Sequence, residues 1–367
     1  MPKKNTAEIK NTASKFMTDG EPFYCEPYGN GHINHTYLVK CRNSYDKQVR
    51  YILQAVNNTV FKQPEKLIDN VCRVTEFLKR NEPDRRRVLT LVNTEDGGWF
   101  FCDREGNFWR MYEFAEDSVC IERPDSKTDF YECAYAFGKF QRDLDGFPAD
   151  TLFEVIPDFH NTEKRYADFL KALKEDRAAR AKSVQREAEF IKSHEKFYSL
   201  LSESHKSGVL PLRVTHNDTK SNNVLLDAQS RKALCVIDLD TVMPGFSVTD
   251  FGDAIRFGAN TAAEDEKELD KVGLDMDLFE AYTSGYCDGC EGRLLNSEIM
   301  LLPEGAQMMT IECGMRFLTD YLNGDTYFKT DYPEHNLVRC HTQLKLFDDM
   351  LAHTEQMKNI VQRFCKP

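Results

Sequence analysis

The chain has 367 residues, with 48 Lys and Arg against 60 Asp and Glu, which gives a net charge of −12. Its content of 41% hydrophobic and 29% charged residues is typical of an ordinary globular protein and excludes collagen, disulfide scaffolds and disordered chains. The length corresponds to two domains or one large one. The acidic balance argues against a nucleic-acid partner and against a polybasic membrane surface, so an anionic ligand has to be bound by a local group of residues.

Targeting and cysteine features point to the cytoplasm. No run approaches the ~18 apolar residues of a transmembrane helix, and polar residues follow Met1 where a signal peptide would be apolar. We therefore expect a cytoplasmic protein without a membrane partner. The 12 cysteines are scattered from Cys25 to Cys365, and in a reducing compartment we expect free, mostly buried thiols. The single CxxC at residues 287–290 has no second pair, which argues against a zinc or redox site.

The first third of the chain carries strand signals. Runs of apolar and β-branched residues at 37–39 and 51–53 flank a polar stretch and predict a hairpin. A second hairpin is predicted from residues 99–102 and 108–112. Between the two, apolar residues recur at helical spacing over 67–78, after Pro64. The segment is therefore predicted to be a small antiparallel sheet with one helix.

From about residue 128 the pattern is mainly helical. Apolar spacing predicts a helix over 130–144 and one long final helix over 337–364. The charged run 163–192 indicates a further helix with a solvated face. Two short strands, at 224–226 and 233–237, interrupt this region and predict another hairpin.

Polar residues flank this last hairpin on both sides. Asn223 precedes it and Asp238 follows it, and in an antiparallel hairpin these two positions are neighbours. Their oxygen atoms suit Mg²⁺. Asp218, five residues before Asn223, is placed to accept a proton from a hydroxyl group. Single Asp and Asn residues often cap turns, but the complete set is typical of phosphoryl-transfer enzymes.

Residues 250–252 spell Asp-Phe-Gly, a metal-binding motif of protein kinases. This string begins 32 residues beyond Asp218, whereas Asp238 lies only 20 residues beyond it and directly follows the hairpin. We therefore predict that Asp238 is the metal ligand. Asp250 is predicted to be structural, a carboxylate that holds the loop of Asp218 through backbone N–H groups.

A pair of glycines, Gly29 and Gly31, precedes the first hairpin. Glycine lets the backbone approach phosphate groups without a side-chain clash. Alone, such a pair is more typical of a plain turn, so the phosphate interpretation depends on the Asp218 cluster.

Several strings together resemble the aminoglycoside-phosphotransferase-like kinases, namely residues 29–34, 214–223, 238–245 and 250–258. Narrower strings, at 312–318, 321, 327–328 and 332–339, are similar to the N-acetylhexosamine 1-kinases within that superfamily. The resemblance implies an α+β, two-lobe, protein-kinase-like fold. Its N-terminal nucleotide-binding lobe would span residues 1–115 and its larger, mainly helical catalytic lobe residues 116–367.

The resemblance also implies an activity and a site. ATP and Mg²⁺ would serve the phosphorylation of the anomeric hydroxyl of N-acetylglucosamine or N-acetylgalactosamine in sugar salvage. Asp218 would be the catalytic base and contact the sugar, and Asn223 and Asp238 would bind Mg²⁺. The nucleotide-binding residues would be Gly29, Asn30, Gly31, His32, Asn34, Gln54, Glu113, Phe114 and Ala115. Arg316 and Tyr327 would hold the sugar, although at helix positions a salt bridge or core packing explains them equally well.

One position departs from the protein-kinase pattern. The third-strand lysine that pairs with nucleotide phosphates is replaced by Gln54, which donates a hydrogen bond but carries no charge. Neutralisation of the phosphates then falls to Mg²⁺ and the glycine-rich loop, with Lys62 or Lys66 as candidate replacements. Two alternatives stay open. One is the same fold acting on an aminoglycoside, choline or homoserine, and the other is a kinase-fold binding protein without catalysis.

Overall fold

The computed structural model describes residues 5–29, 33–124 and 126–365. Strands concentrate in the N-terminal third and helices in the remainder, which confirms the predicted α+β class. The strands are β1 Glu21–Pro27, β2 His35–Arg42, β3 Gln48–Val56, β4 Leu91–Val92, β5 Phe101–Cys102, β6 Phe108–Glu113, β7 Ser118–Cys120, β8 Arg213–Thr215, β9 Val224–Asp227, β10 Ala233–Val236 and β11 Met243–Gly245. The helices are α1 Thr6–Ala13, α2 Pro64–Leu78, α3 Lys127–Asp143, α4 Thr162–Glu175, α5 Gln185–Ser193, α6 Leu200–Lys206, α7 Ser247–Gly258, α8 Met276–Cys290, α9 Asn296–Met300, α10 Leu302–Asn323, α11 His335–Ala352 and α12 Thr354–Phe364.

The N-terminal sheet is antiparallel, with the order β1-β2-β3-β6-β4 and with β5 paired to β6. Both predicted hairpins are confirmed, as β2–β3 and β5–β6. Strand alternation places Val39, Leu53 and Met111 in one fully buried cluster. Helix α2 begins with Pro64, whose missing N–H costs nothing in the first turn, and it buries the predicted apolar positions.

The helical part is built around a large apolar core in which α3 packs against α8, and α10 packs against α7 and α11. Helix α3 confirms the helix predicted over 130–144. Its approach to α8 is close because both helices carry glycine at the contact. A Cβ atom on Gly138 would collide with the carbonyl oxygen of Tyr286, and one on Gly285 with that of Tyr131.

Two helix predictions were wrong in extent. The single final helix is two helices, because α11 ends at His353, whose backbone N–H bonds to the carbonyl oxygens of Asp349 and Met350 before α12 starts. The charged run is also divided, because Asp176 adopts a left-handed conformation, with φ 43°, at the end of α4. The break at His353 is one residue long and leaves the apolar spacing almost unchanged, so periodicity does not detect it. The break after α4 spans the nine residues 176–184, within a run whose charge alone does not mark helix ends.

The expectation of free thiols is wrong for one pair. Cys287 in α8 and Cys365 after α12 form a disulfide, with their Cα atoms 5.1 Å apart. Packing of α12 on α8 brings together two residues that are 78 positions apart in sequence. The other ten cysteines are free.

Two small sheets support the candidate site. One has the order β10-β9-β7 and contains the hairpin predicted at 224–237, and the other pairs β11 with β8. None of the helices in the described ranges is long and apolar enough to cross a membrane.

Candidate active site

A cleft of about 440 Å³ lies between the N-terminal sheet and the β9–β10 hairpin. Of the residues predicted from sequence, it is lined by Gly29, Asn34, Gln54, Glu113, Phe114, Ala115, Asp218, Asn223 and Asp238. Asn30, Gly31 and His32 lie outside the described residues. The predicted nucleotide and metal residues that can be described therefore share one cavity, although up to 209 positions separate them in sequence.

The carboxylate of Asp218 faces this cleft with its orientation set by two neighbours. Asn223 donates from Nδ2 to the carbonyl oxygen of Asp218 at 2.8 Å and to its Oδ2 at 3.2 Å. Lys220, which the sequence analysis missed, places Nζ 2.8 Å from Oδ1 of Asp218. Burial favours the neutral amine of Lys220, but the Asp218 carboxylate outweighs that effect and raises the pKa of Lys220. The carboxylate is thus held as one half of an ion pair.

His216 connects the loop of Asp218 to the end of the hairpin. Its buried ring accepts the backbone N–H of Asp218 at Nδ1, over 3.2 Å, and donates from Nε2 to the carbonyl oxygen of Ile237, over 2.9 Å. Below this loop, Asp250 accepts the backbone N–H groups of His216 at 2.7 Å and Asn217 at 2.8 Å. The imidazole of His216 and the carboxylate of Asp250 therefore fix the position of the Asp218 loop relative to Asp238.

Asp238 adopts a left-handed conformation, with φ 59°, that turns it out of the hairpin and towards the cleft. Water reaches it from the cleft, but protein atoms enclose it on most sides. That enclosure, together with the carboxylates of Asp240 and Asp218, raises the pKa of Asp238 to about 6. The Nδ2 atom of Asn223 is engaged with Asp218, so its amide oxygen is the atom available to a cation. These oxygen donors and the excess of negative charge fit a divalent ion such as Mg²⁺.

A buried ion pair forms the wall of the cleft behind Asp238. Nη2 of Arg110 lies 2.5 Å from Oδ1 of Asp240, and the two side chains are only 1% and 5% exposed. Oε1 of Gln54 accepts from Nε of Arg110 at 3.1 Å and from Nη2 at 2.9 Å. The residue that replaces the usual lysine is therefore in contact with an arginine.

The other end of the cleft is apolar and includes Ile52, Val88, Leu89, Leu225 and Ile237. Residues 113–115 border it. The backbone N–H of Glu113 donates to the carbonyl oxygen of Thr90, and that of Phe114 donates to the carbonyl oxygen of Arg50. Within the described part of the chain, the N–H of Ala115 has no acceptor. A flat heterocycle could therefore bind between the apolar side chains and meet one free donor.

The two predicted sugar-binding residues do not line this cleft. The guanidinium of Arg316 lies over the rings of Phe159 and Phe328, at 5.8 and 5.6 Å. Tyr327 is 72% exposed and its ring contacts Phe328 edge-on. The helix that carries Arg316 is nevertheless connected to the Asp218 loop through a further residue, His160.

His160 lies between the Asp218 loop and the helix of Arg316. One ring nitrogen lies 3.3 Å from the carbonyl oxygen of Asn217, and the other lies 3.0 Å from Glu312 in α10, one turn before Arg316. Arg165 lies nearby, and burial followed by the charge of Arg316 lowers its pKa. A group of charged residues that includes the carboxylate of Glu312 therefore lies next to the loop that carries Asp218.

Four residues that take part in these contacts were missed by the sequence analysis: Arg110, His160, Lys220 and Asp240. Lys220 had a usable signal, since it lies two residues after Asp218. Arg110 had a weaker one, as a charged residue in the interior of the mostly apolar strand β6. The proposed replacements for the missing lysine, Lys62 and Lys66, are exposed and do not line the cleft.

Comparison with known proteins identifies a family and a fold. The model of the phosphotransferase enzyme family matches residues 25–285. The structure is similar to a microcompartment-associated aminopropanol kinase (15% identity, TM-score 0.60, covering 96% of this chain and 98% of the other). It is also similar to an aminoglycoside phosphotransferase from Alicyclobacillus acidocaldarius (11% identity, TM-score 0.62, covering 99% of this chain and 98% of the other). A third similar structure is a choline kinase from Cryptosporidium parvum (13% identity, TM-score 0.55, covering 91% of this chain and 90% of the other). At these identities, the structural matches establish the kinase-like fold.

Proposed function

The chain belongs to the phosphotransferase enzyme family, and from that premise we propose that it is an ATP-dependent, Mg²⁺-dependent kinase of N-acetylhexosamines. Its product would be the N-acetylhexosamine 1-phosphate. The observation that carries the kinase part is the convergence of Asp218, Asn223 and Asp238 on one cleft. In this proposal the chain divides near residue 115 into a nucleotide-binding lobe and a catalytic lobe.

Adenine fits the apolar end of the cleft, where the free N–H of Ala115 can donate to a ring nitrogen. The phosphates then extend towards the polar end. Asn223 and Asp238 would hold Mg²⁺ there, and the ion would supply neutralisation of the phosphate charge. Asn34 and Gln54 line the same end from the sheet.

Asp218 acts on the acceptor. Its carboxylate orients the attacking hydroxyl and takes its proton, while Lys220 and Asn223 hold the carboxylate in place. A positioned general base contributes typically about 10²- to 10⁴-fold to the rate. His216 and Asp250 do not touch the acceptor, and they position the loop.

The guanidinium groups beside the Asp218 loop support a sugar as acceptor. Arg165 and Arg316 interact with each other and with the carboxylate of Glu312. A neutral sugar offers hydroxyl groups and an acetamido oxygen, which accept hydrogen bonds from guanidinium groups. Arg316 and Tyr327 would supply those contacts.

Phosphorus NMR of the reaction product tests this proposal. Wild-type protein with ATP, Mg²⁺ and N-acetylglucosamine or N-acetylgalactosamine should give a phosphate that couples to the anomeric proton, and Asp218→Asn should give none. Choline, homoserine and an aminoglycoside serve as competing acceptors. Phosphorylation of only these would replace the sugar assignment, and ATP binding without transfer to any acceptor would favour a binding protein.

A further inference from the structure

Arg110 and Gln54 lie directly opposite each other on the adjacent strands β6 and β3. Side chains of directly paired residues point to the same face of a sheet, and both residues line the cleft together with Asp218 and Asp238. Arg110 therefore projects from the strand next to the one that carries a phosphate-binding lysine in protein kinases.

The guanidinium of Arg110 is buried and incompletely used. Of its five N–H donors, those on Nε and Nη2 are directed at Gln54 and Asp240. Within the described ranges, Nη1 is buried and has no hydrogen-bond partner. A buried charged group with unused donors is unfavourable unless a ligand or water accepts from it. The unused donors of Arg110 belong to a side chain in the wall of the nucleotide cleft.

The charged residues that line the cleft indicate a role for the guanidinium of Arg110. Five carboxylates line it, those of Glu113, Glu122, Asp218, Asp238 and Asp240. Besides Arg110, the cations in its lining are Arg85, Arg86 and Lys220, and each of these three is already paired with a carboxylate. Lys62 and Lys66 do not reach the cleft. Arg110 is also paired, with Asp240, but it keeps a buried Nη1 that has no hydrogen-bond partner in the described part of the chain.

We propose that Arg110 is the cation that binds the nucleotide phosphates in place of the third-strand lysine, an inference that rests on the proposed use of ATP. Nη1 has almost no exposed surface in this structure; on nucleotide binding the side chain shifts into the cleft, and Nη1 then donates to phosphate oxygens, whose geometry the planar guanidinium matches. Gln54 is a positioning residue, because its Oε1 fixes the guanidinium while its Nε2 donates to Thr36 at 3.1 Å. In this proposal the phosphate-binding charge lies on β6, one strand away from the position of the lysine in protein kinases, and Gln54 on β3 orients it.

Direct binding of nucleotides, without acceptor or turnover, tests this assignment. Titration calorimetry with a non-hydrolysable ATP analogue and with adenosine compares a ligand that has phosphates with one that lacks them. Arg110→Met should weaken binding of the ATP analogue by about 10- to 100-fold, as expected for a lost charge-assisted contact, and change adenosine binding less than about twofold. Arg104→Met, which removes an exposed arginine from the turn before β6, is the matched control and should change neither.

Two further variants test whether a folding defect explains the weaker binding of the ATP analogue. Arg110→Met combined with Asp240→Asn removes both charges of the buried pair and should show the same selective loss for the ATP analogue. Gln54→Lys combined with Arg110→Gln returns the charge to β3 and should restore most of the affinity.

The same titrations separate the possible failures. Equal loss for adenosine and the ATP analogue, or no loss for either, would overturn the role of Arg110 while leaving a wild-type kinase intact. Failure of the wild type to bind the ATP analogue would overturn the proposed function together with this inference.

Discussion

Nδ2 of Asn34 donates to Oδ2 of Asp240 over 2.6 Å, across 206 positions of sequence. Asn34 precedes β2 in the N-terminal sheet, and Asp240 follows β10 in the helical part. Asn34 also accepts the backbone N–H of Asn57 at Oδ1, over 3.0 Å. Because Asp240 is paired with Arg110 as well, one buried carboxylate joins two elements of the sheet to the hairpin that carries Asp238.

Asn34→Ala should therefore destabilise the junction between the sheet and the hairpin. It removes one hydrogen bond to a charged group and one to the backbone, and we expect a loss of about 2 kcal/mol in the free energy of unfolding. Urea denaturation measures this loss. Asn58→Ala removes an exposed side-chain hydrogen bond of 3.4 Å to the carbonyl oxygen of Gly106 and should change stability by less than about 0.5 kcal/mol. Equal losses in the two variants would contradict the assignment.

Asp218→Asn should separate binding from catalysis. The amide keeps the shape of the side chain but cannot accept the proton, so turnover should fall by about 10²- to 10⁴-fold. Nucleotide affinity should stay within about twofold, because the groups that would hold the metal remain. Coupled ATP hydrolysis or transfer assays and direct nucleotide titration measure the two quantities. Asp150→Asn, an exposed carboxylate outside the cleft, should leave both unchanged; full turnover in Asp218→Asn would remove it as the base.

Asp250 should act on the rate through the loop geometry. Asp250→Ala leaves the N–H groups of His216 and Asn217 without their buried acceptor, which should cost about 2–4 kcal/mol of stability and reduce kcat. Asp250→Asn retains an acceptor oxygen and should recover part of both losses. If kcat in both variants matched the wild type at a temperature where they are folded, the loop would not depend on this carboxylate.

Glu312 should contribute to stability at neutral pH and lose that contribution in acid. Burial opposes its ionisation, but the hydrogen bond and charge of His160 and the hydroxyl of Thr162 outweigh burial and lower its pKa below 4.5. A lowered pKa means that the stabilisation is fully present above the unfolded value of 4.5 and is lost as the pH falls through the lower folded value. The difference in unfolding free energy between wild type and Glu312→Gln should therefore narrow in this acidic range. If the difference in unfolding free energy between the two proteins stays constant from neutral pH into acid, ionised Glu312 does not stabilise the fold.

Arg316→Met should raise KM for the sugar by about 10-fold or more and leave nucleotide affinity unchanged, because Arg316 lies outside the nucleotide cleft. Arg177→Met, an exposed arginine paired with Glu175, is the control. Steady-state kinetics at saturating ATP measure the effect. An unchanged KM for the sugar would leave Arg316 as a packing residue between Phe159 and Phe328.

Much of the fold could be predicted because its signals are local. The β2–β3 and β9–β10 hairpins are short apolar runs around polar turns, and α2 and α3 repeat apolar residues at helical spacing. The division of the final helix at His353 could not be predicted, because one residue interrupts an otherwise continuous apolar pattern. The end of α4 at the left-handed Asp176 could not be predicted either, because a run recognised by its charge does not mark where a helix ends.

The sequence by itself determined the elements and the spacing that bring Asp218, Asn223 and Asp238 around one hairpin, since neighbouring residues and one tight turn suffice for that. It did not determine the partners that approach from distant parts of the chain. Arg110 faces Gln54 only because β3 pairs with β6 in one register, and Asp240 meets Asn34 only when the hairpin packs against the sheet. Such contacts depend on the three-dimensional packing of whole elements, and burial then decides which charges must be paired and which donors remain for a ligand.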